Sequence, residues 1–150
     1  MAGPLHFSTW QEVETVVRKF EACEYSPGEF THAHHLAVAA WYLWQGSRKQ
    51  ALDKMRVALL RFTSHHNVKA YHETITRFWI ELLAAALGDS PSEDRVKALN
   101  QLLRQHCNKQ EIFNYYSREI LQSHEARDCW VEPDRQCLPA RIETVKAADR

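Results

Sequence analysis

The chain has 150 residues, of which 45% are hydrophobic and 11% aromatic, with five Trp; that length fits one domain, and that apolar share excludes disorder as a general description. Lys and Arg number 19 against 19 Asp and Glu, so the chain lacks the basic surplus that neutralises phosphates and no nucleic-acid partner is expected. No apolar run reaches the ~18 residues of a membrane span, and Met1–Phe7 lacks the basic-then-apolar order of a signal peptide. The four cysteines, Cys23, Cys107, Cys129 and Cys137, form no C-x-x-C pair, so a cytoplasmic protein with reduced thiols and no membrane partner is the expectation.

In chain order, Ser8 as N-cap and Gln11 at the capping-box position open a first helix running to about Cys23. Its stripe is Val13, Val16, Val17 and Phe20. Ser26-Pro27-Gly28-Glu29 reads as cap, Pro at the first helical position and Glu at the third, opening a second helix that Gly46 stops. From Leu36 to Trp44 this helix is apolar nearly all round, which predicts a buried, central position. A third helix starts at Ser47, carries Leu52, Met55, Leu59 and Phe62, and ends near His65-His66-Asn67. A fourth spans about Ala70 to Leu87, with Gly88 as its stop. Ser90-Pro91-Ser92-Glu93 repeats the cap pattern before a fifth helix ending near Cys107. Asn108 with Glu111 opens a sixth through Tyr115 and Tyr116, and Ser117 and Ser123 cap a broken continuation. Pro133 and Pro139 predict an extended tail from Val131 onward, frayed at its end. The expected fold is an all-α, single-domain bundle of five or six helices spanning 1–150, with an ordered core over about 8–139. Short loops predict antiparallel neighbours.

Nine histidines are unevenly placed. At about 100° per residue, His32 and His35 share one face of the second helix, with the small Ala39 between them one turn on. His34 points the other way. Two buried imidazoles need partners for their nitrogens, and histidines at i and i+3 can reach one ion. The fourth helix opens with Tyr71-His72-Glu73-Thr74-Ile75-Thr76, and there His72, Thr76, Trp79 and Leu83 share a face. If the two helix starts meet, His32, His35 and His72 make a three-nitrogen site for a divalent transition metal (Fe, Zn, Cu or Ni), with an open position for a substrate. Glu73 then serves as ligand or general base and Thr76 as a positioning group.

Simpler readings stand beside these. Glu29 is explained by the capping box, and Glu73 with Arg77 by an exposed i,i+4 ion pair. His34 reads as a hydrogen-bonded core residue, and His65-His66 as a favourable helix-end contact. His6, His106 and His124 have no nameable partner. Cys23 could approach the site as a nucleophile only if a histidine lies beside it in space. Trp41, Trp44, Phe78 and Trp79 read as core, and Tyr71, Tyr115 and Tyr116 as residues at a pocket mouth. The histidine trio itself could be purely structural, because its spacing is less specific than H-E-x-x-H.

Four stretches together, Phe30-Thr31-His32-x-x-His35-Leu36, Tyr71-His72-Glu73-Thr74-Ile75-Thr76, Tyr115-Tyr116-Ser117 and Glu132-Pro133-Asp134 with Leu138-Pro139, resemble a group of small bacterial helical proteins without a known role. The resemblance runs from about Ser8 to Pro139. It implies that the four stretches form one unit and carries no reaction. His34 departs from it, standing where that group has a small residue.

The leading functional expectation is a small metal-dependent enzyme, an oxygenase or oxidoreductase or else a hydrolase, acting on a small molecule between the second and fourth helices. A metal-free acid–base enzyme is the second. A binding or scaffold module whose histidines only knit the helices together is the third.

Overall fold

The computed structural model describes residues 5–88 and 94–139. Five helices of eleven or more residues come first: α1 (Trp10–Glu21), α2 (His32–Gln45), α3 (Arg48–His65), α4 (Glu73–Leu87) and α5 (Arg95–Gln105). A 3₁₀ helix (Lys109–Asn114), α6 (Arg118–Leu121) and α7 (His124–Asp128) follow. The class is all-α, with no strand among the described residues.

The sixth helix expected through Tyr115 and Tyr116 is instead a 3₁₀ helix ending at Asn114, and the broken continuation expected after it is α6 and α7. Ser117 takes the Ile120 N–H at 3.2 Å and Ser123 the Ala126 N–H at 3.1 Å. Each hydroxyl restarts the chain in a new direction, offering the backbone an alternative to one continuous ladder.

Several helix starts fall later than the sequence pattern suggests. α1 uses Thr9 as N-cap with Glu12 in the capping box, one residue after Ser8 and Gln11. The reciprocal Ser26–Glu29 bonds do form, at 2.8 and 3.3 Å, so Glu29 is a capping carboxylate. Residues 27–30 nevertheless remain turns. Phe30 is buried with its ring stacked 4.2 Å from Phe20, which fixes the chain's entry, and α2 begins only after Thr31. α4 begins at Glu73 and not near Ala70, with His72 as its N-cap. α1 and α3 end alike, with a left-handed residue (Cys23, φ 60°; Asn67, φ 56°) followed by an N–H bonded five residues back, the Schellman arrangement. The Ser90–Glu93 start signal lies outside the described residues; Asp94 caps α5 through the Lys97 N–H.

α2 packs against α1, α3, α4 and α5, burying Leu36, Ala37, Val38, Ala39 and Ala40. A second cluster joins Phe78 and Leu82 of α4 to Ile112, Tyr115, Tyr116 and Leu121. Residues 131–139 carry no helix and lie over this cluster. Val131 N–H donates to Thr74 Oγ1 at 3.1 Å, Arg135 N–H to the Tyr115 carbonyl at 2.9 Å, and Ser117 N–H to Asp134 at 2.8 Å. The last residues expected to fray fall beyond position 139, outside the described residues. No described helix is long and apolar enough to cross a membrane.

Candidate functional site: a histidine-walled cavity

α2 and α4 are in contact, but their opening histidines are committed differently. His72 is the N-cap of α4. Its Nδ1 accepts the Ile75 N–H at 3.1 Å, and its Nε2 lies 2.8 Å from the Leu121 carbonyl. A carbonyl only accepts, so Nε2 carries the proton and Nδ1 the lone pair that caps the helix. Both nitrogens are spent. His72 is buried, and that burial lowers its pKa.

Glu73 is also engaged. Its carboxylate meets the Arg56 guanidinium through two bonds, 3.0 and 2.6 Å, and accepts the Tyr71 hydroxyl at 2.6 Å. The Arg56 hydrogen bond is the main reason its pKa is lowered. The i,i+4 partner the sequence offered, Arg77, pairs with Glu81 at 3.2 Å instead. Thr76 donates its hydroxyl back to the His72 carbonyl at 2.8 Å.

At the start of α2, His34 Nδ1 accepts the Thr31 N–H at 3.1 Å, acting as the third residue of a capping box in place of Glu or Gln. It is half-buried beside Tyr25 and Phe30, so it is a helix-start residue and not a core one. His32 Nε2 lies 2.9 Å from the His106 carbonyl and therefore donates to it; the His32 ring stands edge-on to Trp79 at 4.6 Å. His106, which lacked a partner in the sequence reading, is held by Glu111 at 2.9 Å. Burial lowers the His32 pKa.

Two cavity histidines keep a nitrogen without a hydrogen bond among the described residues, His32 at Nδ1 and His35 at Nε2, and His35 is the more strongly affected by burial. The His35 Nδ1 is 3.2 Å from the Thr31 carbonyl, four residues back, so Nδ1 holds the proton and Nε2 keeps a bare lone pair. No hydrogen bond reaches Nε2 among the described residues. His35 is half-buried and lines a cavity, and burial pushes its pKa down to about 4. The histidine is thus neutral at pH 7 and presents an acceptor.

That cavity has a volume of about 670 Å³. α2 supplies His32, His35 and Ala39 to its wall, α3 supplies Met55, Leu59 and Phe62, and α4 supplies Ile75, Thr76 and Trp79. Ile112, Phe113 and Leu121 close another side. Ala39, 2% exposed, sits where a larger side chain would fill the space. Tyr71 lines the cavity, as a mouth residue should, whereas Tyr115 and Tyr116 do not.

His32, His35, His72 and Thr76 therefore share one cavity, and Glu73 stands outside it. The five do not present a ligand set for one ion. His72 has no nitrogen left, Glu73 is neutralised by Arg56, and among the described residues no three His, Cys, Asp or Glu side chains are placed to hold a metal. Of the three expected histidine ligands, His72 has both nitrogens on backbone groups, Leu121 and Ile75, and turns no free nitrogen toward His32 and His35. Cys23 is buried and unpaired and is not part of the cavity wall. The wall residues that sequence reasoning passed over are Met55, Leu59 and Phe62, read there only as a core stripe, and the cations Lys109, Arg118 and Arg127. The chain matches no family model, no curated protein and no solved structure.

Proposed function

We propose that this chain binds a small, largely apolar molecule in the cavity at the start of α2, oriented by a hydrogen bond to Nε2 of His35. In this reading α2 is the central helix of the bundle, and its opening turn is left partly uncovered to make the site. One observation carries it: an imidazole nitrogen without a protein partner stands in the wall of an otherwise mainly apolar cavity of about 670 Å³. Volumes of roughly 300–1,000 Å³, apolar walls and a few placed polar groups characterise small-molecule sites.

Binding is favoured over acid–base catalysis by a magnitude. A general base works best with a pKa near the operating pH, and His35, at about 4, is a weak base at neutrality. It remains a competent acceptor. Binding is favoured over the three-nitrogen metal centre because His72 spends both nitrogens on Ile75 and Leu121.

The test compares 2-naphthol, which offers a hydroxyl donor, with 2-methoxynaphthalene, which does not. Calorimetry should show saturable 1:1 binding, with naphthol tighter by roughly three- to tenfold, the worth of one hydrogen bond. His35→Phe should erase that difference, and Ala39→Leu should weaken both compounds. No saturable binding of either compound, or binding indifferent to both substitutions, overturns the proposal. Ligand-to-His35 nuclear Overhauser contacts supply the same decision if Ala39→Leu does not fold.

A further inference from the structure

The cavity has a polarity along its length. Among the described residues its charged lining is Lys109, Arg118 and Arg127, with no Asp or Glu. The whole chain is balanced at 19 against 19, so this one-sided lining does not reflect a global surplus. The three cations come from three successive elements, the 3₁₀ helix, α6 and α7, and all three are exposed, which places them where the cavity meets solvent. None has a carboxylate within ion-pair distance among the described residues, whereas Arg48, Arg56 and Arg77 of the neighbouring helices each do. Two are posed by uncharged contacts. The Arg118 guanidinium lies 4.2 Å over the Phe113 ring, and Arg127 Nη1 donates to the Tyr71 carbonyl at 3.3 Å. Glu73 is held by Arg56 and Glu111 by His106, while Glu119 and Asp128, the sequence neighbours of Arg118 and Arg127, lie outside the cavity lining.

The inner end is the reverse. It offers the apolar faces of Ala39, Phe62 and Ile80 and the lone pair of His35 Nε2. A lone pair repels an anion and accepts from a hydroxyl or amide, so a negative headgroup is turned outward, toward the cations.

We propose that the cavity's occupant is an organic anion with an apolar body, its carboxylate or phosphate held at the mouth by Lys109, Arg118 and Arg127. The assignment rests on the cavity being a binding site. It adds the occupant's charge and its direction of entry.

The experiment titrates the full chain with decanoate, decyl phosphate, 1-decanol and decyltrimethylammonium, each below its micelle concentration, by calorimetry at low and high salt. The two anions should bind more tightly than decanol by roughly tenfold, the combined effect of three exposed charge pairs, and the ammonium should bind most weakly. The anionic preference should shrink at high salt and disappear in the K109Q/R118Q/R127Q variant, whose changes are all on exposed side chains, leaving decanol affinity as it was. Whichever anion binds more tightly identifies the headgroup. Equal affinity for the anions, decanol and the ammonium overturns the headgroup assignment and leaves the cavity reading standing. Failure of all four probes both to bind and to displace 2-naphthol overturns the headgroup assignment; if 2-naphthol also fails to bind, the cavity reading falls with it.

Discussion

The starts of α2 and α4 look alike in sequence and differ in what their histidines have left to give. At α4, His72 caps the helix with one nitrogen and reaches Leu121 with the other, and Glu73 beside it is closed off by Arg56 and Tyr71. At α2, His35 uses one nitrogen on Thr31, keeps the second without a hydrogen bond among the described residues, and lines the cavity. A histidine's availability is decided by how many backbone groups claim it, and proximity to other histidines does not reveal that number. The α4 start has both nitrogens of His72 on backbone groups; the α2 start keeps a His35 nitrogen without a hydrogen bond among the described residues.

The largest effect that could break this contrast is at His72. His72→Ala should cost about 2–4 kcal/mol in denaturant unfolding, combining a lost N-cap with a buried Leu121 carbonyl left unpaired. His72→Asn should recover the cap portion only. A loss below about 0.5 kcal/mol for His72→Ala would put His72 on the same footing as His35.

Acid should separate the two starts by stability. His35 has a folded pKa near 4 against about 6.5 unfolded, so the unfolded state binds the extra proton first. The stability tied to its neutral form is complete above about pH 6.5 and is lost as pH falls toward 4, by at most about 3 kcal/mol. His32, His34 and His72 are lowered as well and act in the same direction. Below the carboxylate range Glu73, also lowered, adds to the loss. The melting temperature should therefore fall between pH 6.5 and 4.5, and His35→Phe should flatten that slope. A wild-type curve flat through this interval contradicts the burial of the ring.

Glu73→Gln should destabilise by about 1–2 kcal/mol, because half-covered Arg56 loses its two-bond carboxylate and keeps only Asp53 at 3.0 Å. Ligand affinity should be unchanged, since Glu73 is not part of the cavity wall. A selective loss of binding with stability intact would return Glu73 to the site. The smallest change is expected for His35→Phe at pH 7, within about 1 kcal/mol of wild type, because an unpartnered nitrogen is exchanged for apolar surface and only the Thr31 bond is lost. Stability should hold while the preference for a hydroxyl donor disappears.

Much of this arrangement was legible in local pattern. The helical class, the caps at Ser47, Ser117 and Ser123, the small Ala39 beside His32 and His35, and the extended stretch after Val131 all follow from spacings within a few residues. The partners that decide each imidazole's role do not. Leu121 is 49 residues from His72, and His106 is 74 from His32, and both offer backbone carbonyls, which no side-chain motif encodes. The same blindness shifted the start of α4, because His72 reads as a helical residue until its ring is seen to fold back onto the Ile75 N–H. The cationic mouth was missed because Lys109, Arg118 and Arg127 lie on three separate elements and share a location only after the C-terminal pieces fold over α4.

The most direct measurement is a long-range proton–nitrogen NMR spectrum of the histidine side chains at pH 7. His35 should be neutral, with the proton on Nδ1 and a lone-pair signal at Nε2 that shifts when 2-naphthol is added; His72 should be neutral with its proton on Nε2, unmoved by the compound. A charged His35, a His35 proton on Nε2, or a ligand response at His72 in place of His35 would contradict the division between the two helix starts.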